Sequence, residues 1–411
     1  MTKIILIIGY VWPEPNSSAA GAHMMSLMRL FKQQGWRVVF STPAQKTEHM
    51  VDLSADGIES VEIILNDASF DSFVSELNPD YVMFDRFMME EQFGWRVTEN
   101  CPDAIRILDT EDLQCLRGAR EQANKQSRQL QQTDLMGDLA KREIAAILRS
   151  DLSLIISDYE MQLLQTTFKV DPALIHHLPF MLNLNRKLAP EKTFEQRSHF
   201  VTIGNFRHAP NWDSVLYLQQ IWPLIRKQIP SAELHVYGSY PAKKATQLNN
   251  PKSGFLVKGW AADAFEVLAH ARVCLAPLRF GAGIKGKFID AMRVGTPSVT
   301  TTIGSEGMTG DFAWPGVVAD TPQSIADAAI RLYQDQAFWM QASKKAQPLL
   351  QARYNGELLG KQLMEKIHQL GNNIEQHRLN NFTGAMLSHH SMRSTKFMSK
   401  WIETKTKLQS K

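Results

Sequence analysis

The chain has 411 residues, enough for two or three domains with sizeable buried cores. With 44% apolar, 21% charged and 9% aromatic residues and a net charge of +3, it is globular in composition, which excludes a disordered, collagenous or coiled-coil chain. Three scattered cysteines, Cys101, Cys115 and Cys274, exclude a disulfide framework or thiolate metal site and point to a reducing compartment, the cytoplasm first.

The first apolar run, Ile4 to about Trp12, is short and ends at Pro13, so it reads as a buried strand over Lys3–Gly9 rather than a leader; no run reaches the roughly 20 residues that span a bilayer. A helix is expected over Gly21–Gln34, where Met24, Leu27, Met28 and Phe31 fall at helical spacing and Gly35 stops the pattern. Strands then fit Arg37–Ser41, Glu62–Leu65, Tyr81–Asp85, Ile105–Asp109 and Leu152–Ser157, with a glutamine-rich solvated helix or loop over Gln122–Gln132 leading to a helix at Leu139–Leu148. Pro179–Pro190 follows neither period and reads as a linker.

The rhythm restarts with strands at His199–Ile203, Glu233–Gly238, Phe255–Lys258, Arg272–Pro277 and Pro297–Thr301. Helices alternate with them at Trp212–Gln228, Ala264–Ala271, Lys287–Val294 and Pro322–Gln334. Alternating strands and helices on both sides of a linker imply two Rossmann-like α/β lobes with a ligand cleft between them. The division is 1–182, 183–365, and a helical basic extension over 366–411. From Gln376 the extension carries seven Lys/Arg against the one acid Glu403, a balance of +6 that leaves the rest of the chain at −3. This distribution excludes a broad positive face for nucleic acid and leaves a local anionic contact, such as a lipid headgroup, open.

The most informative stretch runs from Arg272 to Pro297, a strand, a glycine turn and a helix. Such a turn offers backbone N–H groups at a helix N-terminus, where the dipole favours an anion. Gly281-Ala-Gly283-Ile-Lys-Gly286 spells the dinucleotide fingerprint, but too late in the chain; Gly281 to Lys287 spells the opening of a nucleotide-triphosphate loop, but Phe288 stands where a hydroxyl would hold Mg²⁺.

Several ordered blocks together resemble GT-B glycosyltransferases of family 4, or group 1, over roughly Lys3 to Leu370. They are the turn itself, Asp290-Ala-Met-Arg-Val-Gly-Thr-Pro, Gly304-Ser-Glu-Gly-Met308, Gly204-Asn-Phe-Arg-His-Ala-Pro-Asn-Trp-Asp213, Val257-Lys-Gly-Trp260, Tyr10–Gly21 and Ile156–Glu160. The resemblance implies a GT-B fold, a C-terminal helix crossing back onto the first lobe, and transfer of a hexose-like sugar from a nucleoside diphosphate to a hydroxyl, with retention and without a metal. It implies that Gly204, Arg207, Gly281, Ala282, Gly283, Ile284, Lys285 and Lys287 receive the diphosphate. Asp290 would take the ribose hydroxyls in place of the family's usual glutamate, and Gly238, Lys258, Gly259 and Trp260 would line the base. Many relatives carry a glutamate at the position of Ala282, which touches the donor sugar.

Charge builds on the departing diphosphate, so Arg207 and Lys285 are the catalytic cations, doing electrostatically what a metal does elsewhere. No D-x-D triplet and no histidine spacing for a metal is present; no cofactor is expected beyond the nucleotide-sugar substrate. In the first lobe, Glu111 and Asp112, with Asp109 behind them, follow a strand and face the cleft as candidates to orient an acceptor hydroxyl. The alternative is that Thr110 or Asp112 caps the next helix. Ser17, Ser18 and Gly21 stand on the acceptor side, with Ser18 equally suited to cap its helix. The expected partners are a nucleotide-sugar and a glycan or lipid-linked acceptor, with no nucleic acid. Phe397, Met398, Trp401 and Ile402, at helical spacing among basic residues, leave the tail's end open between packing and contact with the inner face of the membrane. Two alternatives stay open on the same scaffold: a nucleotide-sugar epimerase, and a non-catalytic protein that binds the nucleotide-sugar.

Overall fold

The computed structural model describes residues 2–186, 188 and 192–409. Two parallel sheets organise them. The first contains β1 (Ile4–Ile8), β2 (Arg37–Thr42), β3 (Glu59–Glu62), β4 (Tyr81–Asp85), β5 (Ile105–Asp109), β6 (Leu152–Ile155) and β7 (Ile175–His177), in spatial order β3-β2-β1-β4-β5-β6-β7. The second contains β8 (Ser198–Ile203), β9 (Leu234–Tyr237), β10 (Phe255–Gly259), β11 (Ala271–Leu275), β12 (Ser298–Thr300) and β13 (Gly316–Val318), in order β10-β9-β8-β11-β12-β13. Every pairing is parallel. In each sheet the order reverses once, between β1 and β4 and between β8 and β11. These are the switch points outside whose strand C-termini α/β proteins bind ligands.

The central strands are apolar throughout because helices cover both faces, as for β1, where residues 5–8 are fully buried. Expected and observed strands agree there and diverge at the edges. The strand expected at Glu62–Leu65 lies at Glu59–Glu62, an exposed and polar edge with no apolar run to mark it. β7 and β13, three residues each at the far edges, are too short to show a period.

The linker is partly packed: Phe180 and Met181 are buried, and the Leu182 N–H donates to the Tyr354 carbonyl at 2.9 Å. Its residues 187, 189 and 190 lie outside the described ones. The helix Gly356–Asn372 returns to the first lobe, placing Leu363, Met364, Ile367 and Leu370 in one core with Ile5, Met28 and Phe31. The Arg378 guanidinium then donates to Asp151 (2.8 Å) and to the carbonyls of Pro102 and Ala104, fixing the start of the last two helices, Ile374–Asn380 and Phe382–Gln409.

Candidate active site

The glycine turn follows β11 and opens the helix Gly286–Arg293, as its residues require. Gly283 has φ +61°, and a Cβ there would lie 2.9 Å from the Cβ of Asp112; at Gly286 a Cβ would lie 2.5 Å from that of Ala19. Both glycines are therefore demanded by contact with the opposite lobe, the first also by its backbone conformation. The turn does not stand open as its sequence suggests. Gly281, Gly283 and Ile284 are buried, and the Gly283 N–H donates to Glu160 Oε1 at 2.9 Å. A carboxylate thus already occupies one of the four amides expected to meet a diphosphate. In the helix's first turn the Phe288 N–H donates to the Lys285 carbonyl at 3.0 Å, and the N–H groups of Gly286 and Lys287 precede any helical acceptor.

Lys285 is buried and its Nζ donates to the Gly283 carbonyl at 2.8 Å; Lys287, half-buried, reaches Asn211 Oδ1 at 2.8 Å. Burial lowers both ammonium groups to about 8. Asp290 lies on the same helix, and burial, opposed by Arg293, lifts it to about 7. Ala282 leans on the first lobe's core. At the end of β8, Gly204 and Gly238 are so close that a Cβ on Gly238 would strike the Gly204 carbonyl at 2.1 Å. Arg207 is exposed, with its guanidinium 3.6 Å from the centre of the Tyr240 ring. Lys258 and Gly259 end β10, and Trp260 stacks on His49 of the first lobe at 4.8 Å. Trp260 therefore has one face already covered.

On the first lobe, β4 and β5 end side by side at Asp85 and Asp109, which pair in register. Glu111 follows with φ +60°, Arg86 with φ +69°, and His23 of the first helix approaches Asp109 Oδ1 at 3.8 Å. The nest is almost closed to solvent, and Asp85 Oδ1, Asp109 Oδ2, His23 Nδ1 and Ser17 Oγ have no hydrogen-bond partner. Burial, reinforced by the neighbouring carboxylates, lifts Asp109 to about 7 and Glu111 to about 8; burial lowers His23.

Asp112 is set apart from this nest. Burial raises its carboxyl, but Arg117, which holds it in an ion pair, and His208 outweigh that, so it stays below the usual carboxylate range. Neither Thr110 nor Asp112 caps the following helix, Gln114–Lys125: Thr110 donates to the Leu154 carbonyl, and the helix N–H groups go to distant carboxylates. Glu160 takes Leu113 (2.8 Å), and Glu143 takes Gln114 (2.9 Å) and Cys115 (2.8 Å). Ser18 does cap its helix, accepting from Gly21 at 3.0 Å.

Across the cleft the lobes are joined by contacts that the sequence did not disclose. Arg120 makes a two-pronged pair with Glu306 (2.7 and 2.8 Å) and donates to the Gly281 carbonyl at 2.8 Å. Tyr240 donates to Glu14 at 2.7 Å, and Arg353 pairs with Asp158. These partners lie 186, 226 and 195 positions apart, beyond any local pattern. Among the described residues, no group of three or more His, Cys, Asp or Glu side chains is placed to hold a metal.

Residues 197–335 match the family model described as Glycosyl transferases group 1. No curated protein matches the sequence. Among solved structures, sucrose-phosphate synthase from Thermosynechococcus elongatus aligns at 17% identity and TM-score 0.66, over 90% of this chain and 99% of that one. HepE from Anabaena, in complex with UDP and glucose, aligns at 14% and 0.66, over 90% and 100%. WaaG, a glycosyltransferase involved in lipopolysaccharide biosynthesis, aligns at 13% and 0.60, over 87% and 98%. Two parallel sheets meeting at their switch points, with a helix returning from the second lobe to the first, define a GT-B protein. Within its second lobe, residues 197–335 are similar to the group 1 glycosyl transferases.

Proposed function

We propose that the protein moves a hexose-like sugar from a nucleoside diphosphate to a hydroxyl of a glycan or lipid-linked acceptor, with retention and without a metal, in the assembly of cell-surface polysaccharide on the cytoplasmic side of a membrane. The observation that carries this reading is the juxtaposition of two unlike clusters. A helix N-terminus with Lys285 and Lys287 meets the first lobe at Ala19 and Asp112, and Asp112 directly follows the strand-end carboxylates Asp109 and Glu111, with Asp85 beside them. The first suits a leaving diphosphate, the second a polyhydroxyl acceptor. The UDP and glucose of the HepE complex and the pathway of WaaG support the same assignment.

In this reading the amides of Gly281, Ala282, Gly283 and Ile284, with Arg207, Lys285, Lys287 and the close turn at Gly204, stabilise charge as it develops on the diphosphate. Asp290 accepts from ribose hydroxyls, and Gly238, Lys258, Gly259 and Trp260 line the base. A departing phosphate oxygen takes the acceptor's proton on the face it leaves, so no protein nucleophile is needed. Glu111 and Asp112 orient the acceptor hydroxyl, with Asp109 supporting Glu111 and Ser17, Ser18 and Gly21 shaping that side. Because Glu160 holds the Gly283 amide and Ala19 fills the space beside Gly286, the lobes part to admit the donor and close again on it, which excludes water from the reaction.

Ala282 favours one second reading, a protein that binds the nucleotide-sugar without transferring it. Incubation with UDP-, GDP- and ADP-sugars and a panel of saccharide acceptors, followed by product analysis, tests both. A glycosylated product supports transfer. Sugar-nucleotide binding without product across the panel supports the second reading, and an isomerised sugar formed without acceptor supports an epimerase instead.

A further inference from the structure

The helix Phe382–Gln409 is 28 residues long, about 42 Å at 1.5 Å per residue. One side is fixed to the first lobe. Met392 is buried against Gly94, where a Cβ would lie 2.8 Å from the Met392 Cε; Ser399 is buried and accepts from Arg96 at 3.2 Å; and Lys396 pairs with Glu99. A helix whose only task is to pack there presents a polar outer face. This one does not.

At 100° per residue, Met386, Phe397, Trp401 and Leu408 fall on the side opposite Met392 and Ser399, and Phe382 and Met398 flank them. These four are 46%, 66%, 60% and 69% exposed, and the flanking Phe382 and Met398 are 76% and 58% exposed. Four large apolar side chains on one face, along a helix already docked by its other face, form a patch that water solvates poorly.

Charge decides what covers it. From 382 to 409 the helix carries Arg393, Lys396, Lys400, Lys405 and Lys407, and the one acid, Glu403, pairs with Lys407 at 2.5 Å. Arg393, Lys400 and Lys405 are exposed beside the apolar line, and Lys405 lies over the Trp401 ring at 5.2 Å. A second copy of this chain would bring the same cations against themselves, whereas a bilayer rich in anionic headgroups supplies both an apolar interior and the opposite charge. Tryptophan between the two is the residue suited to that boundary. No helix among the described residues is long and apolar enough to cross a membrane, so the contact is peripheral.

We propose that the outer face of Phe382–Gln409 lies in the interface of an anionic lipid bilayer and holds the first lobe, whose cleft receives the acceptor, at the membrane surface. The partner is chosen in line with the lipid-linked acceptor proposed above, but the surface stands on its own observations. Vesicle binding without transfer, or transfer without vesicle binding, separates the two.

The test is sedimentation of the full chain with vesicles of phosphatidylcholine alone and of phosphatidylcholine with phosphatidylglycerol, beside the triple variant Phe397→Gln, Trp401→Gln, Leu408→Gln and the charge variant Arg393→Gln, Lys400→Gln, Lys405→Gln. Glutamine keeps the helix propensity, and circular dichroism with the melting temperature confirms that each variant folds. The proposal requires binding to the anionic vesicles well above that to the neutral ones, weakened at least tenfold by the triple variant. About fivefold should be lost for each cation removed, as expected for roughly 1 kcal/mol per charge near an anionic surface. A blue-shifted emission on vesicle addition, present in the wild type and missing in Trp401→Phe, reports insertion at that residue. Equal sedimentation of wild type and triple variant, no preference for anionic lipid, or self-association of the wild type that the triple variant abolishes while vesicles go unbound would each overturn it.

Discussion

The two halves of the cleft are built on opposite plans. The second lobe's half is a continuous segment, residues 277–290, in which a strand, a turn and a helix N-terminus deliver amides and two lysines within one short stretch. The first lobe's half is assembled from separate strand ends and a helix, with Asp85, Asp109, Glu111 and His23 brought together by sheet register. One half is cationic and its ammonium groups are lowered by burial; the other is anionic and its carboxyls are raised by burial. At neutral pH the raised carboxyls are thus largely protonated, whereas the lysines, at about 8, keep most of their charge. The cationic half is therefore ready for an anionic ligand while the anionic half carries less charge than its composition suggests.

The largest effect expected from breaking this arrangement is at the bridge between the halves. Arg120→Ala leaves Glu306 unpaired in a largely enclosed site and removes the donor to Gly281, so denaturant titration should show a loss of about 3–5 kcal/mol, as for a buried pair deprived of one partner. The double change Arg120→Leu, Glu306→Leu should recover much of it. An Arg120→Ala protein as stable as wild type would mean that the lobes are not held there.

A smaller effect tests the anionic half. Glu111 in the folded protein binds its proton up to about pH 8, against an ordinary value near 4.5, so the folded state holds more protons than the unfolded across that window. Stability accordingly falls as pH rises through it, and Asp109 acts in the same sense up to about 7. Glu111→Gln removes one share of that fall. Its melting temperature should exceed wild type by roughly 2–4 °C at pH 8, with the difference shrinking towards pH 5. A constant difference at both pH values would show that the carboxyl is not strained by its surroundings.

The smallest expected effect separates two roles of one residue. Ser18→Ala should lower stability by about 1 kcal/mol, the worth of a helix cap, while leaving nucleotide affinity unchanged. A loss of affinity at constant stability would restore Ser18 to the ligand side.

Much of the fold was legible because central parallel strands are buried on both faces and read as unbroken apolar runs; Tyr81–Asp85 and Ile105–Asp109 have the bounds expected of them. The polar edge strand at Glu59 and the three-residue strands at Ile175 and Gly316 carry no such signal. The site divides along the same line. Gly281 to Asp290 could be read because its parts are neighbours in the chain. Asp85 and His23 could not, since nothing local distinguishes a strand-end aspartate or a helix-face histidine from a structural one. Nor could Glu160, whose carboxylate does the work expected of a cap at Thr110 or Asp112 while also holding the Gly283 amide.

The most direct test of the account is whether the turn takes a diphosphate. Thermal-shift titrations of UDP, GDP and ADP against wild type, Lys285→Ala and Lys287→Ala would read this, because a ligand that binds only the folded state stabilises it by about 2.7 kcal/mol at a hundred times its Kd. The account predicts a clear rise in melting temperature with at least one diphosphate, and an affinity at least tenfold weaker in each lysine variant. A protein that no nucleoside diphosphate stabilises, or whose two variants bind as tightly as wild type, would contradict it.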